Sequence, residues 1–352
     1  MINEMRDAGI NVYVNDSWNP LSSDFLAANH IKLWIFDGSI AFVGGIGIES
    51  QFRNILFDEM DLVKGPFVKI LTMMTLFIMA NQKGRSDRFD NTKQFHEMEK
   101  KEIKQLFLKE TPKEGGITMK LSMNVPGYIQ DAQNDYVNLL LRKDIDEIFI
   151  MAPYFSDDKI ARALVKCATL LYVRHYRQKF RERKKSTINY TQRELKELLD
   201  KEIAKEKKIH IVFPKKQENR IIEEVSKYYA YYLRKNPLVE TLQFYAETNL
   251  KIHEMLHAKQ MIIVLRNRKE NWTKYIKFGG SYNPAGRAHN MWELNVIMYK
   301  GPWKKSDGSD TLEDNSIKHY LEKVMKIVIS DYTQPFPWRN AEIQLSPGNG
   351  HL

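Results

Sequence analysis

Two stretches of this 352-residue chain repeat one layout, and a repeated layout calls for a fold built twice. The first opens on His30-Ile31-Lys32, runs through apolar sequence to Gly44-Gly45, reaches a carboxylate at Asp58 and closes on Gly65-Pro66. The second opens on His257-Ala258-Lys259, passes Gly279-Gly280, Ser281 and Asn283, reaches Glu293 and closes on Gly301-Pro302. Each His and Lys stand two apart at the head of a run rich in β-branched residues, so on a strand both side chains point the same way. His30 to Asp58 spans 28 positions and His257 to Glu293 spans 36, so the second copy carries eight extra residues. The polar stretch RNRKENWTK, from Arg266, is where they fit, as a hairpin loop.

Upstream of the second copy, strand and helix alternate. DEIFIMAPYF from Asp146 reads as a strand ending in a loop at Pro153, a helix follows near Asp158 to Leu171, KKIHIVFP is a second strand, and Asn219 to Lys235 is a second helix. That alternation predicts a mixed α/β sheet. Only 29 residues precede His30, too few for the same opening, so the first half reads as truncated at its N-terminus. Ile10 to Val14 reads as a strand there, after a turn at Gly9. The expected division is 1–125 for the first half and 126–352 for the second.

Composition narrows the class. With 43% hydrophobic residues the chain can bury large cores, which excludes a disordered or collagen-like protein. Cys167 stands alone, which excludes an internal disulfide and a four-Cys zinc site. The longest apolar run, Ile70 to Ala80, is too short to cross a bilayer and reads instead as a buried helix opened by Gly65-Pro66. The N-terminus has no signal-peptide pattern. The net charge of +10 points to a polyanionic partner, and it is concentrated. Arg174 to Lys208 carries 13 Lys+Arg against 6 Asp+Glu, while the rest of the chain is only +3. Within that insertion Thr191 and Glu194 form a capping box, and Leu195, Leu198, Leu199 and Ile203 recur at helical spacing. The segment is either a helix packed on its own domain or a membrane-surface arm for anionic lipid.

The spacing His30-x-Lys32-x4-Asp37 with Gly44 and Gly45, repeated as His257-x-Lys259 with Gly280, Ser281 and Asn283, resembles the HKD motif of the phospholipase D superfamily. The phrases APYF at Ala152 and WELNV at Trp292 resemble its cardiolipin synthase branch. The resemblance implies an α/β fold of two phospholipase D-like halves, each a mixed β-sheet flanked by helices, meeting at one composite site. It implies a phosphatidyltransferase that passes a phosphatidyl group through a phosphohistidine, without cofactor or metal. By analogy His30 attacks and His257 does acid/base work, Lys32 and Lys259 bind phosphoryl oxygens, Asp58 and Glu293 orient the two His, and Ser281 and Asn283 bind substrate. Asp37, Gly44, Gly45 and Gly280 belong to the structural part of the motif. The expected partner is an anionic phospholipid such as phosphatidylglycerol at the cytoplasmic side of a membrane, as in relatives with membrane helices upstream. A hydrolytic phospholipase D, a nuclease of the same superfamily and a non-catalytic lipid-binding protein are the alternatives.

Two positions depart from the motif. Val264 stands where the second Asp would fall, and Gly47 where an Asn is common. A rival pattern also overlaps the second copy: His253-Glu254-Met255-Leu256-His257 fits H-E-x-x-H, which binds zinc only if both His share one helix face. The Tyr228 to Tyr232 cluster reads mostly as core and boundary packing. PFPWRN from Pro335 reads as a docking segment or a loose tail.

Overall fold

The run QMIIVL from Gln260 lacks polar alternation, as expected of a strand buried on both faces. In the computed structural model, which describes residues 4, 7–9, 29–47, 56–81, 117–125, 129–184, 190–215, 220–244, 255–267, 269–285, 288, 291–300 and 316–335, this run is the middle of a nine-stranded sheet. The strand expected at Ile10 to Val14 and the tail beyond Pro335 lie outside the described residues.

Along the chain come β1 (Leu33–Phe36), β2 (Ile40–Gly44), β3 (Leu56–Phe57), β4 (Met60–Lys64) and α1 (Phe67–Asn81). They are followed by β5 (Thr118–Val125), β6 (Ile129–Gln130), α2 (Asp131–Leu140), β7 (Ile145–Met151), α3 (Asp158–Lys184), α4 (Gln192–Lys205), β8 (Ile209–Pro214), α5 (Arg220–Arg234) and β9 (Val239–Phe244). The second repeat supplies β10 (Met255–Leu256), β11 (Gln260–Asn267), β12 (Trp272–Gly280) and β13 (Glu293–Lys300). Then α6 (Ser316–Tyr320), a π-helical turn (Leu321–Met325) and α7 (Lys326–Asp331) continue one another before β14 (Thr333–Pro335).

The large sheet has the order β14-β9-β8-β7-β11-β12-β13-β5-β6, parallel from β7 through β9 and antiparallel elsewhere. It is the expected mixed α/β architecture. One face carries Met261, Ile263, Ile276, Phe278 and Ile297 beneath α2, α3, α4 and α5. The opposite face carries Ile262, Val264, Val296 and Met298 beneath α1, the C-terminal helices and a three-stranded antiparallel sheet, β1-β2-β4. That small sheet is the described β-structure of the first half, joined to the second half through this core and through a two-stranded β3-β10 pair. Thr118–Val125, which the sequence boundary assigns to the first half, is hydrogen-bonded along β13 of the large sheet.

Several local expectations change in detail. The helix near Asp158 does not stop at Leu171 but runs to Lys184, so the first 11 of the insertion's 35 residues continue α3. Farther along the insertion Gln192–Lys205 forms α4, with the Thr191–Glu194 capping box in place. Its Leu199 and Ile203 are buried, and Lys179 and Arg183 of α3 are paired with Glu202, so the apolar stripe is spent on packing within the domain. The extra residues of the second repeat are only partly loop. Arg266–Asn267 pair with Trp272–Thr273 and lengthen the hairpin, with Asn271 in the left-handed region at φ 51°. In the first repeat the same hairpin turns at Asp37, exposed and at φ 50°. The longer strand therefore puts Val264 in its interior, buried against the inter-half core, where an Asp would carry an uncompensated charge. Tyr228, Tyr231 and Tyr232 are exposed, contrary to the packing expected of them, and Tyr229 alone of the four rings packs against the core.

Candidate active site

Each His enters the site beside the carboxylate of the other half. Asn29 forms a parallel bridge with Trp292, and the His30 N–H donates to the Trp292 carbonyl at 3.0 Å. Leu256 pairs with Phe57 in the same sense, and the His257 N–H donates to the Phe57 carbonyl at 2.8 Å. The residue after each acceptor is the carboxylate, so the backbone bridges fix a crossed pairing. His30 Nδ1 lies 3.1 Å from both Glu293 oxygens, and His257 Nδ1 lies 2.5 Å from Asp58 Oδ2. The two lysines repeat the symmetry: Lys32 Nζ donates to the His30 carbonyl at 3.0 Å, and Lys259 Nζ to the His257 carbonyl at 2.8 Å.

The glycines make room for the carboxylates. A Cβ on Gly45 would stand 2.3 Å from Asp58 Oδ1. A Cβ on Gly44 would strike the Glu59 carbonyl at 2.1 Å, and one on Gly280 the Leu294 carbonyl at 2.4 Å, so these two glycines occupy equivalent places. Ser281 is then the counterpart of Gly45. Its hydroxyl donates to Glu293 Oε2 at 2.5 Å and accepts from the Leu294 N–H at 3.1 Å, so it orients the carboxylate rather than the substrate. Asn283, two residues on, is buried, with Oδ1 lacking a hydrogen-bond partner among the described residues. Its counterpart Gly47 contributes no side chain, so the two half-sites differ at this position.

The electrostatics of the half-sites differ too. Asp58 and Glu293 have side chains 1% and 0% exposed, whereas His30 keeps 25% and His257 12%. Burial, together with Lys259 beside it, holds His257 down to about 4, against the opposing pull of Asp58. His30 is close enough to press in the same direction. At neutral pH the His257 imidazole is uncharged, with Lys259 Nζ 2.9 Å from Nδ1 and 3.3 Å from Nε2; in the tautomer whose Nδ1–H donates to Asp58, Nε2 carries the lone pair.

Of the residues expected in one site, His30, Glu293 and Ser281 are in contact, with Lys32 on the His30 carbonyl, and His257, Asp58 and Lys259 are in contact; Asn283 lies two residues beyond Ser281. Asp37 is excluded from it by its place in the β1–β2 turn. The zinc alternative fails on local structure, because Met255–Leu256 is a strand and His257 follows it; His253 and Glu254 lie outside the described residues. Supporting residues that the sequence did not disclose include Asn295, whose Oδ1 accepts from the Tyr282 N–H at 3.0 Å, and Asp157, which caps α3 at the Ile160 N–H and holds Gln133 at 2.7 Å. A polar side chain in an otherwise apolar strand was the signal available for Asn295.

No family model matches the chain, and no curated protein matches it. Among solved structures it is similar to Nuc from Salmonella typhimurium, described as a phospholipase D family member, at 12% identity over 63% of this chain and 99% of that one, with a TM-score of 0.36. It is similar to NucT from Helicobacter pylori at 15% identity over 62% and 100% of the two chains, TM-score 0.34. A polyphosphate kinase from Porphyromonas gingivalis matches at 15% identity over 63% of this chain and 27% of that one, TM-score 0.35. These superpositions are loose; what the described residues show is two His-x-Lys half-sites, each with its glycines and each with a carboxylate that orients the His of the other half.

Proposed function

We propose that the chain is a phosphodiester-cleaving transferase that acts on an anionic phospholipid through a phosphohistidine, in the manner of a cardiolipin synthase. The crossed pairing of His30 with Glu293 and His257 with Asp58 carries this reading, since it supplies two oriented imidazoles, each with a lysine ammonium on its own carbonyl. The chemistry needs one neutral imidazole to attack phosphorus and one protonated imidazole to donate to the leaving alkoxide. Because His257 is held uncharged, it is the better attacker, and His30 then protonates the leaving group; this reverses the order expected from the sequence. Attack by His257 Nε2 forms the N–P bond as the P–O bond to the leaving alkoxide breaks. An acceptor hydroxyl, deprotonated by His30, then displaces His257. Lys32 and Lys259 hold the non-bridging oxygens, where charge builds in the transition state.

A lipid substrate is supported by the face on which the first half-site stands. Ile31, Leu33 and Ile35 pack inward, so Lys32, Trp34 and Phe36 share the outer face of the small sheet. There Trp34 and Phe36, with Leu62 two strands away, are large apolar side chains exposed next to the phosphate-binding lysine. No helix among the described residues is long and apolar enough to cross a membrane.

Labelled phosphatidylglycerol, incubated with and without excess alcohol, tests the proposal. Label passing to lipid or added alcohol is the expected result; release of phosphatidic acid alone assigns a hydrolase. Cleavage of single-stranded DNA with no lipid turnover replaces the substrate class with nucleic acid.

A further inference from the structure

The two halves supply their own comparison. With Gly44 equivalent to Gly280 and Asp58 to Glu293, three positions, half-buried at Glu59 and Asp61 and buried at Lys277, differ sharply in polarity between the halves. Glu59 replaces Leu294, Asp61 replaces Val296, and Lys277 replaces Ala41. The three apolar counterparts are buried in the core between the halves, so the fold requires no charge at these places. The three charged residues meet one another. Lys277 Nζ donates to Asp61 Oδ1 at 2.5 Å and sits over the Tyr320 ring at 4.0 Å, and the Tyr320 hydroxyl donates to Glu59 Oε2. Asp61 and Lys277 neutralise each other. Glu59 is left as the odd charge, with Oε1 enclosed and lacking a hydrogen-bond partner among the described residues.

Glu59 is also covalently next to Asp58. Its N–H donates to Asp58 Oδ1 at 2.8 Å, and its carbonyl accepts from the Gly45 N–H at 3.0 Å, so its backbone braces the carboxylate that orients His257. We propose that Glu59, fixed by Tyr320 from the C-terminal helix, is a positioning residue whose charge state sets how strongly Asp58 polarises His257. The groups facing it are Lys277 from β12, Tyr320 from α6, and Asp58 and Asp61 on its own segment. Burial is the largest influence and pushes the Glu59 carboxyl up to about 7, with Lys277 and Tyr320 opposing it. Ionisation of Glu59 therefore falls near neutral pH. It adds a negative charge behind Asp58 and makes His257 more basic, and so more nucleophilic, as pH rises.

This inference rests on His257 acting as proposed above, but its test is independent of turnover. The full chain is labelled with 15N-histidine and the His257 ring nitrogens are followed by NMR from pH 5 to 9, assigned by loss of the signal in His257→Gln. The rate on bis(p-nitrophenyl) phosphate is measured in parallel. A step in the His257 shifts near pH 7, matched by a rising limb in kcat/KM, is expected in the parent protein. Glu59→Gln keeps the acceptor for Tyr320 and should erase the step. Tyr320→Phe removes a hydrogen bond to the charged form and should move the step up by about one pH unit. A step unchanged in both variants, or absent from the parent, overturns the coupling. A step that behaves as described in a protein that turns over neither diester nor lipid would sustain the coupling and refute the proposed function instead.

Discussion

Replacing Gly45 by Ala should disable the second imidazole without touching either His. The new Cβ would stand 2.3 and 2.4 Å from the Asp58 oxygens, where ordinary contact begins at 3.4 Å, so the carboxylate must retreat by about 1 Å. Asp58 is enclosed, and its oxygens are bonded to the Glu59 N–H at 2.8 Å and to His257 at 2.5 Å. A displacement of that size breaks the shorter bond. A charge-assisted hydrogen bond contributes about 1.5–3 kcal/mol, which corresponds to a turnover loss of roughly 10- to 150-fold at tenfold per 1.36 kcal/mol. The assay is p-nitrophenol release from bis(p-nitrophenyl) phosphate alongside a thermal melt. Gly38→Ala is the control in the adjoining turn. Its Cβ would meet nothing, but its φ of +60° strains an L-residue by about 1–2 kcal/mol, so it should lower Tm and leave turnover alone. Wild-type turnover in Gly45→Ala, or equal losses in both variants, would refute the packing argument.

Other outcomes follow from the same geometry. Ser281→Ala removes the donor to Glu293 and should cost about tenfold in kcat with little change in KM, as read from saturation curves. Leu164→Ala, at a fully buried position beneath the large sheet, should destabilise by about 2–5 kcal/mol in a urea melt and spare the chemistry of any folded fraction. The His257 imidazole is held below its unfolded value of about 6.5, so between pH 6.5 and 4 the unfolded chain binds the extra proton and stability falls as pH falls, by about 3 kcal/mol in all. Glu59 has the opposite sign: raised from 4.5 to about 7, it contributes stability at low pH that is lost as pH rises through that window. Glu59→Gln should therefore steepen the acid loss of stability, and His257→Gln should flatten it, in melts taken across pH 4 to 8.

The site was legible because its chemistry lies in short, repeated stretches. His30-x-Lys32 and His257-x-Lys259 each occupy one strand entry, and Asp58 and Glu293 follow at matching distances, so their convergence could be expected before any coordinates. The crossing could not. It depends on the bridges Asn29–Trp292 and Leu256–Phe57, which join segments some 200 residues apart or more and leave no local pattern. Glu59, Asp61, Lys277 and Tyr320 come from three distant segments, and only their contrast with Leu294, Val296 and Ala41 marks them. The apolar runs 148–151, 211–213 and 261–265 were readable as strands because burial on both faces removes alternation. The length of α3 was not, since its final turns are charged and are held by Lys179 and Arg183 reaching α4 rather than by an apolar face.

The central claim is that two half-sites act as one, with His257 forming the bond to phosphorus. Labelled diester mixed with the full-length protein, quenched in base during turnover and mapped by peptide mass spectrometry, tests it directly. The label should appear on His257, vanish in His257→Ala, and accumulate in His30→Ala when the leaving group, such as p-nitrophenolate, departs without needing a proton. Label on His30, or turnover with no covalent adduct at either histidine, would contradict the account.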